Sequence, residues 1–113
     1  MKPERAYLEH ILRCIGRISG DSAGGREVVF ASATLQDAIL RNLQVLCEST
    51  QRLSETSKKR HPEVDWRAIS GLRNVLVHDY FDTDLDAIWK IVQRDLPILE
   101  RAAKEILFGL EPS

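Results

Sequence analysis

Apolar residues recur at helical spacing along four stretches of this chain, and the breaks between them fall at glycines, prolines and charged clusters. From Pro3 to about Ser19, Leu8, Ile11, Leu12, Ile15 and Ile18 recur at intervals of three and four. That spacing predicts an amphipathic helix, with a proline tolerated near its start. Gly20 begins a break, and Val28, Val29 and Phe30 form an apolar plug too short to be assigned as a strand. A second helix is expected from Ser32 or Thr34 to about Glu55, capped by a hydroxyl and carrying Leu35, Ala38, Ile39, Leu43, Leu46 and Leu53. Lys58-Lys59-Arg60-His61, ending at Pro62, reads as the connection onward. A third helix is expected from Asp65 or Pro62 to near Tyr80-Phe81, with Trp66, Ile69, Leu72, Leu76 and Val77 at the helical period. Thr83 and Asp86 then resemble a capping box, followed by a fourth helix from Leu85 to Phe108. Pro97 is expected to disturb that helix, because its ring removes a backbone donor. Four amphipathic segments on short connections predict an all-α, antiparallel bundle of four to five helices.

Composition narrows the picture. A chain of 113 residues suits one domain, residues 1–113, with a single core. Its 16 Lys+Arg against 17 Asp+Glu leave a formal charge of −1, so any contact with nucleic acid must be local rather than driven by a global field. The two cysteines, Cys14 and Cys47, read as buried reduced thiols. With neither a leader-like start nor an apolar run long enough to span a bilayer, a soluble cytoplasmic protein is expected, without membrane association.

Four patterns could suggest chemistry, and two of them fail. The Gly20-to-Gly25 spacing imitates a phosphate-binding loop, yet Arg26-Glu27 stand where Lys-Ser/Thr should follow and no strand precedes it. Asp82, Asp84 and Asp86 imitate a calcium loop, but Ala87 and Gln93 occupy the positions that require Gly and Glu. The basic run Lys58 to His61 is a solvated charge run or, failing that, the best local candidate for a phosphate-facing patch. His10, His61 and His78 are scattered and no paired-Cys motif occurs, so neither a metal site nor a cofactor is expected.

The fourth pattern lies in the third helix, where Arg73, Asn74, His78 and Tyr80 follow Gly71. At about 100° per residue, Asn74 and His78 share one stripe with Gly71, while Arg73 and Tyr80 share another. Arg73 and His78 then point about 140° apart. Either the helix ends around His78 or a second copy of the helix completes the site, and Gly71 leaves room there for a ligand or a partner backbone. His78 can exchange a proton near neutral pH, Arg73 can stabilise an anionic phosphate, and Asn74 can orient either. That set suits metal-independent RNA cleavage; an Arg and a His near a helix end can equally be a structural pair or a cap.

The block WRAISGLRNVLVHDYF, with Arg73-x4-His78-x-Tyr80 inside it, resembles the HepT (DUF86) branch of the HEPN superfamily. The similarity extends to Leu40–Leu43, to the acidic entry into the last helix and to Asp95–Leu99; Cys47 stands before Glu48 where that family tends to have Gly. The resemblance implies a HEPN-like helical bundle over residues 1–113, forming a homodimer that acts as the ribonuclease toxin of a toxin-antitoxin pair. It implies Arg73 and His78 as catalytic, Asn74 as supporting, RNA as substrate with no DNA, and Tyr80 as the residue AMPylated by an MntA-type minimal nucleotidyltransferase antitoxin. A non-catalytic module that binds a nucleotide or substrate for a nucleotidyltransferase is the alternative, and a purely structural dimerisation bundle is a third reading.

Overall fold

The computed structural model describes residues 3–78 and 84–110, and for residues 73–78 the helical backbone alone. Helix α1, Glu4–Asp21, begins after extended Pro3 and buries Leu8, Ile11, Cys14, Ile15 and Ile18. It runs through Gly20 and closes when the Ser22 N–H donates to the Ile18 carbonyl at 2.9 Å. The helical hydrogen bonds therefore outlast the residue at which the sequence pattern breaks, as helix ends commonly do.

The apolar plug is a short helix, α2, Arg26–Phe30. Gly25 precedes it at φ 95° and ψ 174°, a conformation open to glycine and costly for a residue with a Cβ. Val29 is buried, and the side-chain amide of Gln36 donates to the carbonyls of Val29 and Phe30, each at 3.1 Å. Carbonyls left open at the end of α2 are thus satisfied by a side chain from the next helix.

Helix α3, Ala33–Thr50, is capped as expected: the Ser32 hydroxyl accepts the Leu35 N–H at 3.1 Å. It stops short of Glu55, because the backbone turns after Thr50 and Ser54 opens a separate short helix, α4, Glu55–Lys59. The Ser54 hydroxyl accepts from Ser57 N–H at 3.1 Å, while the Ser54 N–H donates to the Glu4 carboxylate at 2.8 Å. Leu53 stays buried through this turn, so its place in the apolar pattern is real even though the helix has ended.

Helix α5, Trp66–His78, is followed by α6, Leu85–Lys90, a π-helical turn at Ile91–Asp95, and α7, Leu96–Leu110. The Asp84 carboxylate caps α6 by accepting the Ala87 N–H at 3.2 Å; Thr83 and Asp82 lie outside the described residues. The disturbance expected at Pro97 takes the form of the π-helical turn, in which the Leu96 N–H reaches back to the Ile91 carbonyl. Proline supplies no N–H for the carbonyl four residues earlier and its ring crowds that carbonyl, so a wider turn immediately before it accommodates both defects.

Extensive packing among the described residues joins α5 to α3, α3 to α1 and α1 to α7. Leu8, Ile11, Ile18, Leu43 and Leu99 are fully buried at its centre. The result is the all-helical bundle expected from the pattern, and no strand occurs among the described residues. Cys14 and Cys47 are buried free thiols. Burial pushes the Cys14 thiol above its ordinary range, more than the nearby Arg17 and Arg13 charges lower it. No helix among the described residues is long and apolar enough to cross a membrane.

Candidate active site

Helix α5 carries three of the four motif positions, so its placement determines the site. The Asp65 carboxylate caps its start by accepting the Ala68 N–H at 2.9 Å. Half-buried Trp66 then locks the helix to what precedes it, its indole N–H shared between the carbonyls of Lys58 and His61 at 3.1 Å each. Those carbonyls belong to the end of α4 and the loop after it, so a single side chain fixes the basic run against the start of α5. Ile69 and Leu72 are buried on the side of α5 that faces the bundle.

From Trp66 the helix continues without interruption to His78, and Arg73 and Asn74 lie inside it. Tyr80 lies outside the described residues. The uninterrupted register keeps the positions of Arg73 and His78 about 140° apart on the cylinder, so the backbone does not bend the two toward one another before His78. Asn74 and His78 share their stripe with Gly71 and, two turns further back, with Arg67. That stripe lies opposite Ile69 and Leu72. Gly71 is exposed, and a Cβ added there would meet no atom within 4 Å.

Arg67 is a residue the sequence reading did not single out. Together with Glu55, Lys58, Lys59, Trp66 and Ser70 it lines an open groove of about 460 Å³ between α4 and α5. Lys59 and Arg67 are exposed, whereas Lys58 is mostly covered and lies 3.9 Å from the Glu55 carboxylate. The basic run therefore sits beside the helix that carries the motif.

His61 ends in a different setting. Its Nδ1 lies 2.9 Å from Glu63 Oε2 and 3.6 Å from Glu105 Oε2, with only 12% of its side chain exposed. The hydrogen bond from His61, helped by a backbone N–H, holds the Glu63 carboxyl below its usual 4.5. These three residues bring ligand-type atoms within 4.8 Å of one another, the one such grouping among the described residues. The His61–Glu105 contact brings the loop after α4 against α7. Sequence spacing could not reveal this cluster, because Glu105 arrives from the far end of the chain.

At the other end of the bundle, Arg26 pairs with Asp86 and lies 4.2 Å over the Phe30 ring. Phe30 meets Trp89 edge-on at 6.5 Å between ring centroids. Asp86, one of the three acids of the false calcium pattern, thus serves to hold α2 against α6.

The chain is similar over most of its length to proteins named as ribonucleases. A protein of Caldanaerobacter subterraneus subsp. tengcongensis named "Putative RNase" is 35% identical over 111 residues, covering 95% of this chain and 96% of the relative. One from Thermococcus cleftensis named "Probable ribonuclease HepT" is 31% identical over 103 residues, covering 88% and 91%. The "mRNA nuclease HepT" of Shewanella oneidensis is 29% identical over 127 aligned positions, covering 80% and 86%. No solved structure matches the chain at a significant level. Residues 8–106 match the family described as Ribonuclease HepT-like, and the chain belongs to that HepT-like ribonuclease family.

Proposed function

We propose that this chain is a metal-independent endoribonuclease, the toxin of a toxin-antitoxin pair, working in the cytoplasm as a homodimer with residues 1–113 as one domain. The observation that carries the reading is the Arg73-x4-His78 motif on the uninterrupted helix α5, in a chain whose family is that of the HepT-like ribonucleases. In the reaction, the 2′-oxygen of the RNA attacks the adjacent phosphorus while the bond to the 5′-oxygen breaks. The 2′-hydroxyl loses its proton and the departing 5′-oxygen gains one, leaving a cyclic phosphate and a free 5′-hydroxyl. His78 serves the proton transfer, Arg73 stabilises the charge that builds on the phosphate, and Asn74 supports them. Because the register separates the two catalytic positions, a second copy of α5 across a two-fold axis supplies the complementary half of each site.

Regulation belongs to the same helix end. An MntA-type nucleotidyltransferase joins the Tyr80 hydroxyl oxygen to the α-phosphorus of ATP, and pyrophosphate leaves. The adenylyl group adds negative charge two residues after His78 in the chain and competes with RNA for Arg73.

Growth and RNA integrity on expression without an antitoxin test the reading. Wild type is expected to inhibit growth and degrade RNA in the presence of a chelator, and His78→Ala to do neither. Undiminished RNA degradation by His78→Ala would overturn it. For the modification, intact mass after incubation with the nucleotidyltransferase and ATP should rise by whole AMP units in wild type, and the same full shift in Tyr80→Phe would reject Tyr80 as acceptor.

A further inference from the structure

We infer that the groove between α4 and α5 is a binding site for the phosphate backbone of single-stranded RNA, with Lys59 and Arg67 as its phosphate contacts. The inference rests on the ribonuclease reading and adds the track along which the strand approaches the motif. Three observations converge on it. First, the groove collects three cations, Lys58, Lys59 and Arg67, against one carboxylate, Glu55, on a chain whose formal charge is −1. A protein without a basic field can attract nucleic acid only through such a local concentration.

Second, the cations differ in how free they are to act. Lys58 is mostly covered and faces Glu55, whereas Lys59 and Arg67 are exposed and form no ion pair among the described residues. Their positions are held all the same, because the Trp66 indole fixes the α4 end and the following loop to the start of α5. An exposed cation on a fixed backbone can take a phosphate without first releasing a partner.

Third, Arg67 in the groove lies on the helical stripe that leads to the motif. Arg67, Gly71, Asn74 and His78 fall on one stripe of α5, which rises about 16 Å from Arg67 to His78. A strand lying along that stripe passes exposed Gly71, where no Cβ obstructs it, and a few nucleotides separate the phosphate at Arg67 from the one at His78. Ser70 offers a further hydroxyl on the groove wall. Phosphate contacts carry no sequence information, so the contact is expected to be independent of sequence. An acidic protein surface shares the charge but has no reason to track toward His78.

The test measures binding without cleavage. A short fluorescein-labelled single-stranded RNA is titrated against full-length His78→Ala by anisotropy, between about 50 and 200 mM salt. The same is done with Lys59→Gln/Arg67→Gln added, with the charge-preserving Lys59→Arg/Arg67→Lys, and with Lys90→Gln/Arg94→Gln, which removes two exposed charges from α6 and the π-helical turn. Loss of two phosphate contacts should weaken binding several-fold at low salt and flatten the slope of log K against log salt by about 1.4. The charge-preserving pair should restore most of both, and the Lys90/Arg94 pair should leave the slope near that of His78→Ala.

Wild type that cleaves RNA, together with a slope unchanged in Lys59→Gln/Arg67→Gln, would overturn the groove and leave the ribonuclease reading intact. So would equal losses in the Lys90/Arg94 pair, since the effect would then be one of net charge. Wild type that neither binds nor cleaves RNA would overturn both.

Discussion

At the scale of single residues, the bundle depends on a few buried side chains and one polar cluster. Leu43 is fully buried on α3, the helix that packs against both α1 and α5. Leu43→Ala removes that packing and leaves a cavity, so it is expected to cost about 2–5 kcal/mol in urea unfolding; an unchanged midpoint would mean that the α1–α3–α5 core is not the stabilising unit. The His61–Glu63 contact gives a prediction about pH. A carboxyl held below its usual 4.5 binds its proton less readily folded than unfolded, so its stabilisation is present above that range and disappears as pH falls through its folded pKa. Wild type should therefore melt above Glu63→Gln near about pH 7, by a small margin because the carboxylate is solvent-exposed. The two melting curves should converge below 4.5. A gap that widens on acidification would show that Glu63 is stabilised by something other than its charge.

At the scale of elements, the period of the apolar residues was sufficient to find α1, α3, α5 and the long last helix, because each buries one face against another helix and so repeats every three or four positions. The same signal placed Ile69 and Leu72 in the core and left Gly71 outside it. What it could not find depends on contacts across the chain. Arg26–Phe30 is too short to show a period, and its helix is closed by the Gln36 amide. The turn after Thr50 hides because Leu53 continues the apolar pattern while the backbone departs from it. Trp66 reads as one more core residue, yet its indole N–H is what sets the basic run beside α5. The motif was legible as residue types, whereas Arg67 became visible only when α4 and α5 were seen to share a groove. Gly71 tests the division between stability and function on this helix. With open space around it, Gly71→Ala should raise stability by about 0.5–1 kcal/mol through helix propensity. If its stripe meets RNA or a second copy, RNA cleavage should fall in the same variant. Higher stability with full cleavage would show that the gap at Gly71 has no role in the site.

At the scale of the whole molecule, the placement of Arg73 and His78 on one straight helix bears on how many chains make a site. An unbroken α5 cannot turn both positions toward one phosphate from the same side, as the register keeps them about 140° apart. A two-fold axis near the end of α5 would solve this by bringing Arg73 of one chain opposite His78 of the other, and it would create two equivalent sites per dimer. Complementation distinguishes that arrangement from two self-contained sites. Arg73→Ala and His78→Ala chains are co-expressed with different affinity tags, and the mixed dimer is isolated by purification through both. Each parent homodimer should be inactive. In the mixed dimer one site combines the intact Arg73 of one chain with the intact His78 of the other, while the second site carries both substitutions. RNA cleavage should therefore return to about half the wild-type rate per dimer. No recovery in a mixed dimer that has been isolated would place Arg73 and His78 of a single chain in one site.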